Sequence, residues 1–316
     1  MSVRVLVTGV TGQTGSYLAE TLLRHGHEVV GVSKTTENVV DGVDLRQLDL
    51  TDTDALGRLV DEVRPDAIVN LAAQSSVARA WQDPVGTAVA DAIVPAAVFA
   101  AARRLADDGI DCQVVQASSS EVFGAPASGV VDESTPVAPT NPYGAAKAHA
   151  HHLVAAYRAA GLRASSLILF NHESPRRPKR FVTRLITSAV ADVARGRADE
   201  VVLADPSIER DWGWAPDVAE AIRLVVEARA SRDYVVATGV AHSVGSFALA
   251  ALAAAGVSDP ESRIRVDPSL ARPTDVKTVV GDSSRLRDEL GWQPTVGFED
   301  IVRAMVDADL AATPED

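Results

Sequence analysis

The chain has 316 residues, 43 of them acidic against 30 basic, for a formal net charge of −13. A surface this acidic excludes nucleic acid as a general partner, because a phosphate backbone needs a basic face. The single cysteine, Cys112, excludes an intrachain disulfide and a multi-thiolate metal site, and it fits a reducing compartment.

Residues 1–25 show no charged leader followed by an apolar core and cleavage site. The longest apolar stretch, near 88–102, is interrupted by Asp91 and Pro95 and falls short of a membrane span. The expectation is a cytoplasmic protein without a membrane partner. Residues 3–8 form a short β-branched run that reads as a buried strand. It opens into Gly9-Val10-Thr11-Gly12-Gln13-Thr14-Gly15 and an amphipathic helix over about 14–24. In a strand, glycine turn and helix of this kind, backbone N–H groups meet a pyrophosphate at the positive helix end.

Residues 28–33 predict the second strand, with Ser33-Lys34-Thr35-Thr36 at its tip. Folds that bind NAD carry an acid there for the ribose hydroxyls. None is present, and Lys34 can pair with a 2′-phosphate, so NADP is favoured over NAD. A third strand over 45–48 ends at Asp49-Leu50, with Asp49 placed to meet the adenine edge and Thr51 to cap the helix running to about 63. Strand 67–71 ends at Leu71, and the small residues Ala72 and Ala73 let a cofactor lie close to the backbone. An alanine-rich helix spans about 91–105. Strand 113–116 opens into Ala117-Ser118-Ser119-Ser120-Glu121-Val122-Phe123-Gly124. Alternating strands and helices with short links predict an α/β fold with a Rossmann-type, doubly wound parallel sheet. Ligands bind beyond the carboxyl ends of such strands, where Ser119, Ser120 and Glu121 stand.

Tyr143 and Lys147 lie four apart and share one helix face. An ammonium beside a phenol favours phenolate, so the pair reads as a base kept acidic by its neighbour, working on a hydroxyl beside a nicotinamide. The helix continues to about 159 and carries His149, His151 and His152. Only His149 and His152 share a face, with no carboxylate partner, so no metal is expected. Strand 166–170 ends at Asn171 and is followed by residues 172–180, where five of nine positions are basic, with Arg184 just beyond. This stretch reads either as a solvated loop or as an anion site suited to a nucleotide-sugar pyrophosphate. Helices are expected over 183–195, 218–228 and 246–255, a strand over 234–238 rejoining the sheet, a strand near 263–266, and a last helix from about 298. No repeat or Pro/Gly/Ser linker appears, so the smaller carboxyl-terminal lobe is interwoven with the first. Residues 1–170 plus about 212–240 form the cofactor domain, and about 171–211 plus 241–316 the sugar-nucleotide lobe.

These marks resemble the extended short-chain dehydrogenase/reductase family: TGxxGxxG at 8–15, the Asp49 turn, YxxxK at 143–147 and a variable carboxyl-terminal lobe. Within it the chain is most similar to the GDP-mannose 4,6-dehydratase group. The similarity rests on TGVTGQTGSYLAE (8–20), NLAAQS (70–75), QASSSEVFG (116–124), FNHESPRR (170–177), FVTR (181–184), RDWG (210–213), Arg272–Thr274 and Gly291-Trp292. FNHESPRR and RDWG are the specific segments.

The resemblance implies catalysis by Tyr143, Lys147, Glu121 and Ser119. It implies an NADP site made by Gly9, Thr11, Gly12, Gln13, Thr14, Gly15, Lys34, Asp49, Leu50, Leu71, Ala72, Ala73, Tyr143, Lys147, His172 and Arg177. It implies sugar-nucleotide contacts from Ser75, Ser120, Glu121, Asn171, Val182, Arg210 and Arg272, with GDP-mannose as substrate. Four positions depart from the group's pattern: the loop 33–42 is short where an arginine-rich arm reaches a neighbouring subunit, Leu185 stands for a lysine, Trp214 for a histidine and Thr14 for an aspartate. A homodimer rather than a tetramer is therefore the expectation. The competing enzymes are a GDP-4-keto-6-deoxymannose reductase, which shares the short loop, and other sugar-nucleotide epimerases or dehydratases. A non-catalytic NADP-sensing protein would lack the Tyr/Lys pair.

Overall fold

The structure, a computed structural model, describes residues 2–37, 39–126, 129–270 and 277–312. The first strand, β1 (Arg4–Thr8), and the helix α1 (Gln13–Arg24) are joined by the glycine turn. Side chains of a strand alternate between faces. Val5 and Val7 accordingly enter one core with Leu18 and Leu22 of α1, while Leu6 enters the core on the other face. There follow β2 (Glu28–Ser33), β3 (Asp44–Gln47), α2 (Thr53–Val63) and β4 (Ala67–Asn70). Next come α3 (Val77–Gln82), α4 (Pro84–Ala88), one π-helical turn at Val89–Ile93, α5 (Val94–Asp107) and β5 (Gln113–Ser119).

A short 3₁₀ turn, Ser120–Phe123, leads to β6 (Val130–Val131), α6 (Pro142–Ala159), β7 (Ala164–Leu169), β8 (Asn171–Glu173) and α7 (Val182–Ala194). The remainder comprises β9 (Val201–Leu203), β10 (Glu209–Trp214), α8 (Ala215–Glu227), β11 (Tyr234–Val236), β12 (Ala241–Ser243), α9 (Val244–Ala254), β13 (Ile264–Val266), β14 (Val280–Gly281), α10 (Ser284–Leu290) and α11 (Phe298–Ala311).

The main sheet has seven strands in the order β11-β7-β5-β4-β1-β2-β3, and every pairing is parallel. The strand order reverses between β1 and β4, which opens a crevice at their carboxyl ends. One face of the sheet is covered by α1 and α8, the other by α2, α5 and α6. A second core of Ile186, Val190, Trp212, Phe247, Ile301 and Met305 lies between α7, α9 and α11, beside a small sheet in the order β12-β10-β8.

Two expectations need correction. Residues 171–173 and 209–214, where no strand is read from the sequence, form β8 and β10, paired in parallel. A three-residue strand carries too little alternation to be seen in a sequence. The helical run Pro84–Asp107 is 24 residues long and contains an 18-residue window with a mean hydropathy of 1.8, long and apolar enough to cross a membrane despite Asp91 and Pro95. Half of that window is buried inside the protein. Val94, Val98 and Phe99 are wholly in the core, so it works as a core helix of this fold. Trp81, Val85 and Ile93, on and beside it, are exposed.

Candidate active site

A cleft of ≈ 1550 Å³ follows the carboxyl ends of the main sheet and reaches the second core. Every site residue expected from the sequence lines it except Arg272, which lies outside the described residues.

At one end the glycine turn folds tightly on itself. Gly9 has φ +70°, and a Cβ on Gly15 would lie 2.1 Å from the Gly9 carbonyl oxygen. Helix α1 can therefore start directly against β1. Its N-cap, Gly12, offers no side-chain acceptor, so the first N–H groups of the helix begin at the cleft wall without a cap. In the cleft wall, Ser118 Oγ is buried without a hydrogen-bond partner. An uncapped helix start and a free hydroxyl fit an anionic dinucleotide. At the tip of β2, the Ser33 hydroxyl is 2.9 Å from that of Thr11. Lys34 pairs with Asp49 at 3.0 Å, both side chains being exposed. Asp49 also accepts from the Thr51 N–H and hydroxyl, and these bonds with Lys34 hold its pKa down at about 2.

The middle of the cleft carries the groups expected to transfer protons. Asn141 caps α6 and brings Tyr143 and Lys147 onto its first turns, both buried. The end of β5 brings Ser119 and, in the following turn, Glu121 to the same wall. The Ser119 side chain hydrogen-bonds Tyr143. Glu121 Oε2 accepts from Asn141 Nδ2 at 2.7 Å.

The expected lowering of the phenol pKa by Lys147 is not what the structure holds. Burial and the Asp91 carboxylate raise the Tyr143 pKa, Glu121 adds to the rise, and the Ser119 bond and Arg177 offset only part of it. Lys147 Nζ sits 6.0 Å from the ring centroid, and burial destabilises its own charge, lowering its pKa against the pull of Asp91. Desolvation outweighs the neighbouring cation.

Asp91 is the residue missed by sequence reasoning. It is 1% exposed, accepts from the Gln74 N–H at 3.1 Å, and burial lifts its pKa to about 6, with Lys147 opposing. Its signal was present: one acid in an apolar helical run.

The basic stretch after β7 divides into committed and open charges. Arg176 grips α1: it donates to Ser16 Oγ and Glu20 and lies 4.0 Å over the Tyr17 ring. Arg184 turns away to Asp309 of α11 at 2.9 Å. Neither is available as an anion ligand. Arg177 pairs with buried Glu173 at 3.3 Å and stacks 3.7 Å over Phe181. Burial together with Arg177 and Arg79 lowers the Arg180 pKa, so three guanidinium groups crowd one part of the cleft.

His172 Nδ1 faces the Phe170 carbonyl at 2.8 Å. A carbonyl only accepts, so this nitrogen carries the hydrogen and Nε2 accepts from Thr14 Oγ1 at 2.8 Å. Burial pushes the His172 pKa down to about 4. The Gln13 amide completes the tie, donating to the His172 carbonyl and accepting from Ser174. Asn171, Val182, Leu185 and Arg210 form the wall toward the second core.

A family model described as GDP-mannose 4,6 dehydratase matches residues 6–305. GDP-mannose 4,6 dehydratase 1 of Arabidopsis thaliana is 40% identical over 96% of this chain and 89% of its own length. Among solved structures, the UDP-glucose 4-epimerase of Thermus thermophilus in complex with NAD superposes with a TM-score of 0.86 at 31% identity, covering 98% of this chain and 100% of that one. RMD of Pseudomonas aeruginosa in complex with NADPH superposes with a TM-score of 0.81 at 25% identity, covering 98% of this chain and 100% of that one.

Proposed function

We propose a function for this cleft from one premise: the chain belongs to the GDP-mannose 4,6-dehydratase family, of the extended short-chain dehydrogenases/reductases. The enzyme converts GDP-mannose to GDP-4-keto-6-deoxymannose with loss of water, the hydride leaving C4 and returning to C6. The observation that carries this reading is Glu121 beside the Tyr143–Ser119 pair on one wall. A reductase or epimerase can work with the phenol. Loss of water needs a further proton-transfer group at the sugar.

When bound, the nicotinamide cofactor supplies the hydride acceptor for C4, the same hydride for C6, and a positive ring charge that offsets a phenolate. Tyr143 takes the proton of the 4-hydroxyl, with Ser119 holding the phenol oxygen. Lys147, on the same helix face, holds the cofactor ribose. Glu121 takes the C5 proton, made removable by the 4-ketone, and passes it to the hydroxyl departing from C6, helped by Ser119. The count closes when C5 regains the proton held by Tyr143, so only water leaves. Asn171, Arg210, Ser75, Ser120 and Val182 contact the sugar nucleotide. The crowded Arg79, Arg177 and Arg180 favour its diphosphate, since an anion relieves their mutual repulsion.

NADP is the cofactor of this reading. Its support is the lack of a carboxylate at the β2 tip and the exposed Lys34, whose surface pair with Asp49 is worth little and yields to a 2′-phosphate. The exposed Trp81, Val85 and Ile93 support a homodimer built on the α3–α5 face. A light-scattering mass of one chain at micromolar concentration would sink the dimer.

The catalytic test incubates the protein with GDP-mannose and either NADP⁺ or NAD⁺, following the 4-keto product and the absorbance of reduced cofactor. Ketone without net reduced cofactor, faster with NADP⁺, is expected. Activity only on a keto sugar, with stoichiometric consumption of NADPH, would make the protein a reductase. In Glu121→Gln, cofactor binding survives and water loss falls by about 10²–10⁴-fold.

A further inference from the structure

We infer that Asn141 is a positioning residue for Glu121, and that the first turn of α6 thereby aligns both proton-transfer groups of the site. The inference rests on the dehydratase reading. Asn141 is 6% exposed, and its Oδ1 accepts from the Gly144 N–H at 2.8 Å as the cap of α6. A backbone N–H can only donate, so this bond fixes the amide and leaves Nδ2 as the group turned to Glu121 Oε2, 2.7 Å away. The amide cannot flip without losing both bonds.

The backbone of Glu121 is held from the same turn. A Cβ on Gly144 would lie 2.5 Å from the Glu121 carbonyl oxygen, so only glycine lets α6 pack this closely on the Ser120–Phe123 turn. On its other side, the Glu121 N–H donates to Ser119 Oγ at 3.3 Å. Glu121 is thus fixed at its backbone by Ser119 and Gly144, and at one carboxylate oxygen by Asn141. The second oxygen, Oε1, remains for the sugar. Tyr143 lies two residues beyond Asn141 on the same turn. A displacement of the carboxylate is therefore read directly against a fixed phenol, and about 1 Å of misplacement costs about 10²-fold in rate.

The role separates from simple capping. Serine caps a helix about as well as asparagine but is too short to reach Glu121. Asn141→Ser is therefore expected to keep its melting temperature, its cofactor affinity and its KM within about twofold, and to lose about 10²-fold in kcat. The 4-hydroxyl is still oxidised, so reduced cofactor and 4-keto hexose accumulate in single-turnover experiments where the wild type shows little. Asn141→Asp keeps the cap and the length but sets a second carboxylate against Glu121. It is expected to accumulate the same reduced intermediate, and it serves as the reading variant should the serine protein fold poorly. Turnover within twofold of wild type in either folded variant, with no accumulation, overturns the positioning role while leaving the dehydratase reading intact. A wild-type protein that makes no 4-keto-6-deoxy product overturns the dehydratase reading itself.

Discussion

The ends of β5 and β7 open onto the same cleft, and both are polar, yet their side chains are spent differently. After β5, Ser119 accepts from the Glu121 N–H, Glu121 accepts from Asn141, and both side chains line the cleft. After β7, most of the charge holds the molecule together. Arg176 clasps α1, Arg184 reaches α11, Arg177 rests on Glu173 and Phe181, and His172 is tied to Thr14. Density of charge in a sequence therefore says little about charge left over for a ligand. In the proposed function a modest serine-rich strand end holds the proton chemistry, while the conspicuous basic stretch works largely as a clasp between the glycine turn and the second core.

That contrast can be broken most forcefully at Glu121. Glu121→Gln is expected to remove most turnover while leaving the unfolding free energy within about 1 kcal/mol of wild type, as for a substitution that breaks no buried network. Loss of stability matching the loss of activity would place Glu121 with the clasp instead. Glu173→Ala is the converse. Glu173 is 1% exposed and receives the Thr183 hydroxyl at 2.6 Å as well as Arg177, so its removal leaves a buried guanidinium unpaired, at about 3–5 kcal/mol. Chemical unfolding measures this, and a cost under 1 kcal/mol would show that the pair is not a structural tie.

The smallest effect concerns pH. The His172 pKa is lowered to about 4 from an ordinary 6.5. The folded state thus binds fewer protons than the unfolded one between those values. The stability this contributes is full above pH 6.5 and is lost as pH falls toward 4. The advantage of wild type over His172→Gln in unfolding experiments should shrink by about 2–3 kcal/mol between pH 7 and 4. A difference independent of pH would mean the imidazole is not held neutral between Phe170 and Thr14.

Most of the fold was legible in the sequence, and the reasons are local. The parallel strands β1, β2, β4 and β5 announce themselves as short β-branched runs between helices, and the glycine turn has a spacing that only one local geometry suits. The site was legible where neighbours in sequence are neighbours in space, as for Tyr143 and Lys147 on one helix face. It was not legible where partners come from far along the chain. Arg176 meets Glu20 across 156 residues, Thr14 meets His172 across 158, and Glu121 meets Asn141 across 20. Asp91 looked like an interruption in an apolar helix and proved to be a buried carboxylate acting on both Tyr143 and Lys147.

The sequence by itself determined the fold class, the cofactor turn, the Tyr/Lys pair and the carboxylate at the end of β5. Each is a matter of backbone periodicity and residue type, which a linear string records. Only the tertiary structure decided which charges are free and which way the phenol is shifted. Those depend on burial and on partners brought together by packing, and desolvation near Tyr143 outweighs the cation one helical turn away.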